Sequence, residues 1–166
     1  MSENTLTRAD PWIKRFLAWA NERFPLANVI LTFVLFTAAI LFSRLINSEA
    51  GQPIQVGIND LVAYLAYYGF FFMLRVFDEH KDYELDCHNH PERVLQSGLI
   101  TLKDLKILCV VAIAGQALIS GWLDGWTLGT VLSGWLVVII WSSLMAKEFF
   151  IGEWLSKRLF LYALSH

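Results

Sequence analysis

Charge is scarce in this chain. Only 17% of its 166 residues are Asp, Glu, Lys or Arg, while 56% are hydrophobic and the mean hydropathy is +0.49. Soluble domains carry roughly 25% charged residues, so an ordinary soluble domain is excluded. A basic excess is also missing. The net charge is −2, which gives no broad cationic surface for nucleic acid. Cysteine is limited to Cys87 and Cys109, without CxxC or metal-type spacing. That rules out a disulfide framework, and both are read as free thiols. The first 26 residues lack an apolar stretch followed by a small-residue cleavage site, so no cleavable signal peptide is expected.

What is present is a set of long apolar runs with the charges gathered between them, the layout of a polytopic membrane protein. Residues 1–26 read as a polar tail and an amphipathic interfacial helix. Trp12, Phe16, Trp19 and Phe24 are set there against Lys14, Arg15, Glu22 and Arg23. Residues 27–166 read as the transmembrane helical domain. Residues 27–46 match the ~20 residues a helix needs to cross a bilayer, and Arg44 near the far end is placed to snorkel. Asn47, Gly51, Pro53 and Gly57 mark a loop. A second span begins near Asn59, reaches Phe77, and keeps a helical pattern towards Asp86, with a boundary by His90 before Pro91. Thr101 with Asp104 makes an N-cap signal. Spans over 105–123 and 126–146 follow, then an amphipathic stretch over 147–158 and the apolar start of a fifth run. Eight residues cannot cross a membrane, so the chain reads as the front part of a longer protein. With a cytoplasmic N-terminus, every Lys and Arg except Arg44 falls on the cytoplasmic side. The chain is therefore expected to be an integral protein of an inner or plasma membrane, with its acidic motif facing the cytoplasm.

That motif follows the second span. Asp78, Glu79, Asp82 and Asp86 have helical spacings that place four carboxylates on one face. Like charges so arranged call for a cation. The donors are all hard oxygens, which favours Mg²⁺ over zinc. Mg²⁺ commonly joins one or two carboxylates to substrate phosphates. Arg75, Lys81 and Arg93 are placed to clamp the same anion. Tyr64, Tyr67, Tyr68, Phe71 and Phe72 either line a cavity for a carbocation or pack against neighbouring helices, and packing is favoured. His80, His88 and His90 do not combine with Cys87 in a zinc-type spacing.

The stretch DEHKDYELDCHNHPERVLQSGLITLKDL, residues 78–105, resembles the first aspartate-rich motif of the UbiA superfamily of intramembrane prenyltransferases. The family pattern is NDxxDxxxD, followed by an arginine element and a Ser-Gly helix entry. Asp78 stands at the Asn, Glu79, Asp82 and Asp86 at the three acids, and Arg93 at the arginine, ahead of Ser97–Gly98. Asp78 and Glu79 depart from the pattern but keep oxygen ligands. The resemblance implies an all-α bundle of about nine membrane helices by family analogy. Four spans and the start of a fifth would be its N-terminal half. The second aspartate-rich motif of the family is not in this chain. The resemblance further implies Mg²⁺ held by Asp78, Glu79, Asp82 and Asp86, and a prenyl diphosphate met by Arg93, Arg75, Lys81 and Lys147. The isoprenoid would pass to a lipophilic or aromatic acceptor. Two other readings stand beside it. One is a truncated, non-catalytic membrane protein that binds metal or a partner. The other is a CDP-alcohol phosphotransferase, although the DG-x-x-AR element of that class is missing.

Overall fold

The computed structural model describes residues 6–47 and 55–165, and all the regular structure among them is helical. The helices are α1 (Trp12–Arg23), α2 (Leu26–Asn47), α3 (Ile58–Lys81), α4 (Tyr83–Asn89), α5 (Leu102–Leu123), α6 (Thr130–Ala146), α7 (Gly152–Ser156) and α8 (Leu159–Ser165). A single 3₁₀ turn, Glu148–Phe150, lies between α6 and α7. Three of them, α2, α3 and α5, are long and apolar enough to cross a membrane. The chain divides into two compact units, Met1–Gln116 and Ala117–His166.

In the first unit, proline sets the junction of α1 and α2. Phe24, just before Pro25, leaves the helical region at φ −127° and ψ 65°, as the residue preceding a proline tends to do. Pro25 then opens α2, its carbonyl accepting from the Asn28 amide at 2.8 Å. α3 starts at Gly57, whose amide donates to the Asp60 carboxylate at 2.8 Å. Arg44 near the end of α2 donates to Asp60 and to the Gln55 carbonyl, closing the α2–α3 hairpin. The sequence reading left Arg44 snorkelling; its charge is instead met by a carboxylate. α4 ends at Asn89, two residues before Pro91, where the boundary was expected. α5 opens on the expected cap: the Asp104 amide donates to Thr101 Oγ1 at 3.2 Å, and the Thr101 amide donates back to Asp104 at 3.0 Å.

The packed core of this unit lies at one end. Trp19, Met73, Val76, Leu95, Ile100 and Leu105 are all buried there, drawn from α1, the last turns of α3, the 90–101 connection and the start of α5. α2, by contrast, buries no residue. Most of its Leu, Val, Ile and Phe side chains are exposed, as expected of a helix long and apolar enough to cross a membrane. The aromatics of α3 are packing residues. Tyr64 sits edge-on to Phe33 at 5.1 Å, Tyr67 lies 5.1 Å from Phe36, and Phe72 meets Trp19 edge-on at 5.9 Å.

In the second unit α6 is shorter than the sequence reading proposed. The apolar run over 126–146 gives a helix only from Thr130, because residues 124–129 are used in a turn. The Trp126 amide donates to the Gly121 carbonyl at 2.7 Å, and its ring comes within van der Waals contact of Gly121. The Asp124 carboxylate accepts from the amides of Val131 and Leu132 at 3.3 and 2.7 Å, and so caps α6 from outside it. Seventeen residues rise about 26 Å, short of the ~30 Å hydrocarbon thickness. The fifth apolar run is helical as α8.

Trp19 is fully buried and joins α1 to α3 through Phe72. Trp19→Ala is expected to destabilise the protein by ~3–5 kcal/mol. Denaturant unfolding in detergent micelles, followed by circular dichroism, measures this. A change below ~1 kcal/mol would mean α1 is not part of the core.

Candidate functional site

The motif acids follow from where α3 ends. Residues 73–79 bring Met73, Val76 and Glu79 to one inward-facing stripe at spacings of three. Two of those positions are apolar and the third is a carboxylate. Asp78 falls on the other face and is exposed. The α3 hydrogen-bond ladder continues to the Asp82 amide, which donates to the Asp78 carbonyl at 2.9 Å. Asp82 itself then leaves helical geometry at φ −97° and ψ 6°, so the expected unbroken helix to Asp86 is two helices meeting at Asp82. The four acids therefore do not share one face. Asp78 and Asp82 are exposed one turn apart, Glu79 is buried, and Asp86 is half-buried on α4.

Glu79 has 0% side-chain exposure. An isolated carboxylate in such a place is strongly disfavoured, and here two guanidinium groups meet it. From its own helix, Arg75 donates Nε to Oε1 at 3.1 Å, with Nη2 at 3.0 Å from the same oxygen. From α1, Arg23 places Nε 2.6 Å from Oε1 and donates Nη2 to Oε2 at 3.3 Å. The short Nε contact is an ion pair whose N–H is not aimed at the oxygen, since Nε makes no well-directed hydrogen bond. Arg23 is nearly as buried as its partner, at 8% side-chain exposure.

The network continues outward. Arg23 Nη2 lies 3.7 Å from Asp86 Oδ2, and Arg93 Nη1 donates to that oxygen at 3.1 Å. Arg93 Nε is 3.9 Å from Glu22 Oε1, while Glu22 Oε2 accepts from the Val94 amide at 3.1 Å. Three arginines and three carboxylates thus alternate from Arg75 through Glu79, Arg23, Asp86 and Arg93 to Glu22. Their formal charges sum to zero.

Sequence reasoning singled out Arg75 and Arg93 as clamps for a diphosphate. In this structure both are engaged with motif carboxylates. Lys81 is exposed in the last turn of α3. Lys147 is exposed at the C-cap of α6, in the second unit. Arg23 and Glu22 were read only as polar residues of an interfacial helix. The available signal was their position, directly before the Phe24–Pro25 stop, where a helix end meets the next element.

Among the described residues no three His, Cys, Asp or Glu side chains gather as a metal site. The pair that presents oxygens outward is Asp78 with Asp82. Hard carboxylates one turn apart suit Mg²⁺, which needs only one or two of them when substrate phosphates and water complete its shell. Both oxygens of Glu79, and Oδ2 of Asp86, are occupied by arginine.

The two classes of acid are expected to respond differently to substitution. Glu79→Ala strands two guanidinium groups and should cost ~3–5 kcal/mol. Arg23→Met combined with Glu79→Leu should recover most of that loss, because an apolar pair of similar size is tolerated where half an ion pair is not. Asp82→Ala, exposed and making no cap hydrogen bond, should stay within ~0.5 kcal/mol. Unfolding midpoints of the four proteins in one detergent test this, and equal losses for Glu79→Ala and Asp82→Ala would refute the division. Comparison with family models, with curated proteins and with solved structures returns no match to this chain.

Proposed function

We propose that the chain belongs to an intramembrane prenyltransferase of the UbiA type. It would transfer an isoprenoid group from a prenyl diphosphate to a lipophilic or aromatic acceptor with the help of Mg²⁺. The observation that carries the reading is the end of α3: a helix of membrane-spanning length terminates in exposed Asp78 and Asp82, backed by an arginine-rich network. The DExxDxxxD spacing and the Arg93 and Ser97–Gly98 element give it its chemical class. The proposal includes a four-span topology with α6 as the fourth span, and an acidic motif on the cytoplasmic side with nearly all the basic residues.

In this reading Asp78 and Asp82 hold Mg²⁺ and, through it, the diphosphate. The bound ion would supply Lewis-acid stabilisation of charge on the leaving diphosphate. Glu79 and Asp86 fix the motif in place through Arg23 and Arg93. Arg75, half-buried beside the Asp78 turn, and Lys81 lie nearest the outward-facing acids in sequence and contribute positive charge to an arriving phosphate. Tyr67 and Phe71, in edge-to-face contact at 4.9 Å on α3, would offer an apolar wall to the isoprenoid chain.

A second reading draws on the charge balance of the network. Because the arginines neutralise Glu79, Asp86 and Glu22, that part of the motif is stable without metal. A non-catalytic membrane protein would need nothing more. Two measurements separate the readings. Mn²⁺ titration followed by electron paramagnetic resonance should detect binding to the full chain that Asp82→Ala weakens at least tenfold. Membranes expressing the gene's whole reading frame should transfer label from a prenyl diphosphate in a Mg²⁺-dependent manner, with Asp82→Ala lowering the rate by a hundredfold or more. Unchanged turnover in that variant would remove the prenyltransferase assignment. Metal binding without turnover would leave the non-catalytic reading standing.

A further inference from the structure

A second polar feature lies where the end of the 90–101 connection meets Tyr83 and the residues before and within α1. A depression of about 520 Å³ is lined by Arg8, Arg15 and Lys103 together with Tyr83, Gly98 and Thr101. We propose that it binds a phosphate group, carried by an anionic lipid headgroup or by a free phosphate ion, where the amphipathic helix α1 meets the first turn of α5.

Three cations reach this hollow from three separate places in the sequence. Arg15 donates to two backbone carbonyls, those of Asp10 at 3.1 Å and Leu99 at 2.6 Å, which fix its guanidinium beside the hollow. Arg8 lies over Gly98, which has φ +75° and no side chain; a Cβ there would collide with the Arg8 guanidinium. Lys103 is exposed in the first turn of α5, whose positive dipole end adds to the same field. The neighbouring acids have local partners. Asp10 pairs with Lys14 at 2.8 Å, a contact that, with the Thr7 amide, holds its carboxyl down to about 2. Asp104 is held by the Thr101 amide and hydroxyl and keeps its negative charge within reach of Arg15. Neither lines the depression. Two arginines and a lysine at the foot of a membrane-length helix outnumber the one acid beside them, Asp104, and match the chemistry of phosphate recognition, with arginine able to bind two oxygens at once. Its height on the molecule is also right for a headgroup, since it sits beside an interfacial helix and at the entry of α5. No motif carboxylate takes part, so this site stands or falls independently of the prenyl reading.

The full chain in dodecylmaltoside micelles, examined by native mass spectrometry, tests the proposal. Dioctanoyl phosphatidylglycerol should bind saturably with one molecule retained, and dioctanoyl phosphatidylcholine should not. Arg8→Ala and Lys103→Ala should each weaken retention about fivefold, the loss expected for one cation near an anionic headgroup. Arg8→Lys and Lys103→Arg should keep it, and Lys157→Ala, in the second unit, should leave it unchanged. Both lining side chains are exposed, so helicity by circular dichroism should be the same in every variant. Competition by millimolar inorganic phosphate would identify the free ion as the source, and its failure to compete would identify the lipid. Equal retention of the two lipids, or alanine variants that bind as tightly as wild type, would overturn the proposal.

Discussion

A carboxylate cut off from water must have its charge met by the protein, and Glu79 is cut off completely. The rest of the first unit is arranged around that requirement. Arg75 meets part of it from one turn earlier in α3, at a spacing any helix supplies. The other part is met by Arg23, on a different helix, and Arg23 can reach only if α1 lies across the end of α3. The ion pair therefore couples two elements that share no long apolar seam. Once α1 is there, Trp19 fills the space beside Met73 and Phe72, and Glu22 and Arg15 reach the Val94 amide and the Leu99 carbonyl. Apolar burial supplies most of the free energy of this contact. The Arg23–Glu79 pair fixes its register, since a slip of one residue in α1 would leave the buried Arg23 charge without Glu79 and Glu79 with Arg75 alone.

This explains why the unit is packed at one end and open at the other. Along α2 and the first half of α3 most exposed side chains are apolar, as suits helices long and apolar enough to cross a membrane, where lipid would solvate them as well as protein does. Burial there brings little, and contact is limited to the Phe33, Phe36 and Tyr64 faces and the Arg44–Asp60 clasp. At the other end the chain leaves the apolar region. Backbone and side-chain polar groups must find partners, and the connection over 90–101 does so by bonding to α1 and α4. There a polar network orders the helices.

Much of this was legible in the sequence. The long helices were, because their apolar runs have no other stable form in a chain so poor in charge. The Pro91 boundary and the Thr101–Asp104 cap were, because each is set by local chemistry within four residues. The start of α6 was not. The hydropathy of Trp126, Thr127, Leu128 and Gly129 continues the apolar run, and only the folded-back Asp124 carboxylate shows that the helix begins at Thr130. The division of the acids was not legible either. A helical wheel puts Asp78, Glu79, Asp82 and Asp86 on one stripe, but the stripe is about 100° wide per pair of neighbours, and residues 78 and 79 lie at its two edges. Which edge faces inward depends on Met73 and Val76, and the break at Asp82 then turns Asp86 towards α1.

The role of arginine shows where such reading stops. Arg75 and Arg93 were marked as clamps for a diphosphate, but an anion to be bound and a carboxylate already present make the same demand on a guanidinium. Spacing cannot distinguish them; only the count of charges within reach can. In this fold the count closes without a ligand, with three arginines on three carboxylates. Asp78 and Asp82 lie outside that balance and face outward. A chain that needed only to stabilise its helix ends could have placed Asn or Ser at either position at no loss of packing. Two adjacent-turn aspartates at the end of a membrane-length helix repel one another, and that repulsion is relieved when a cation binds between them.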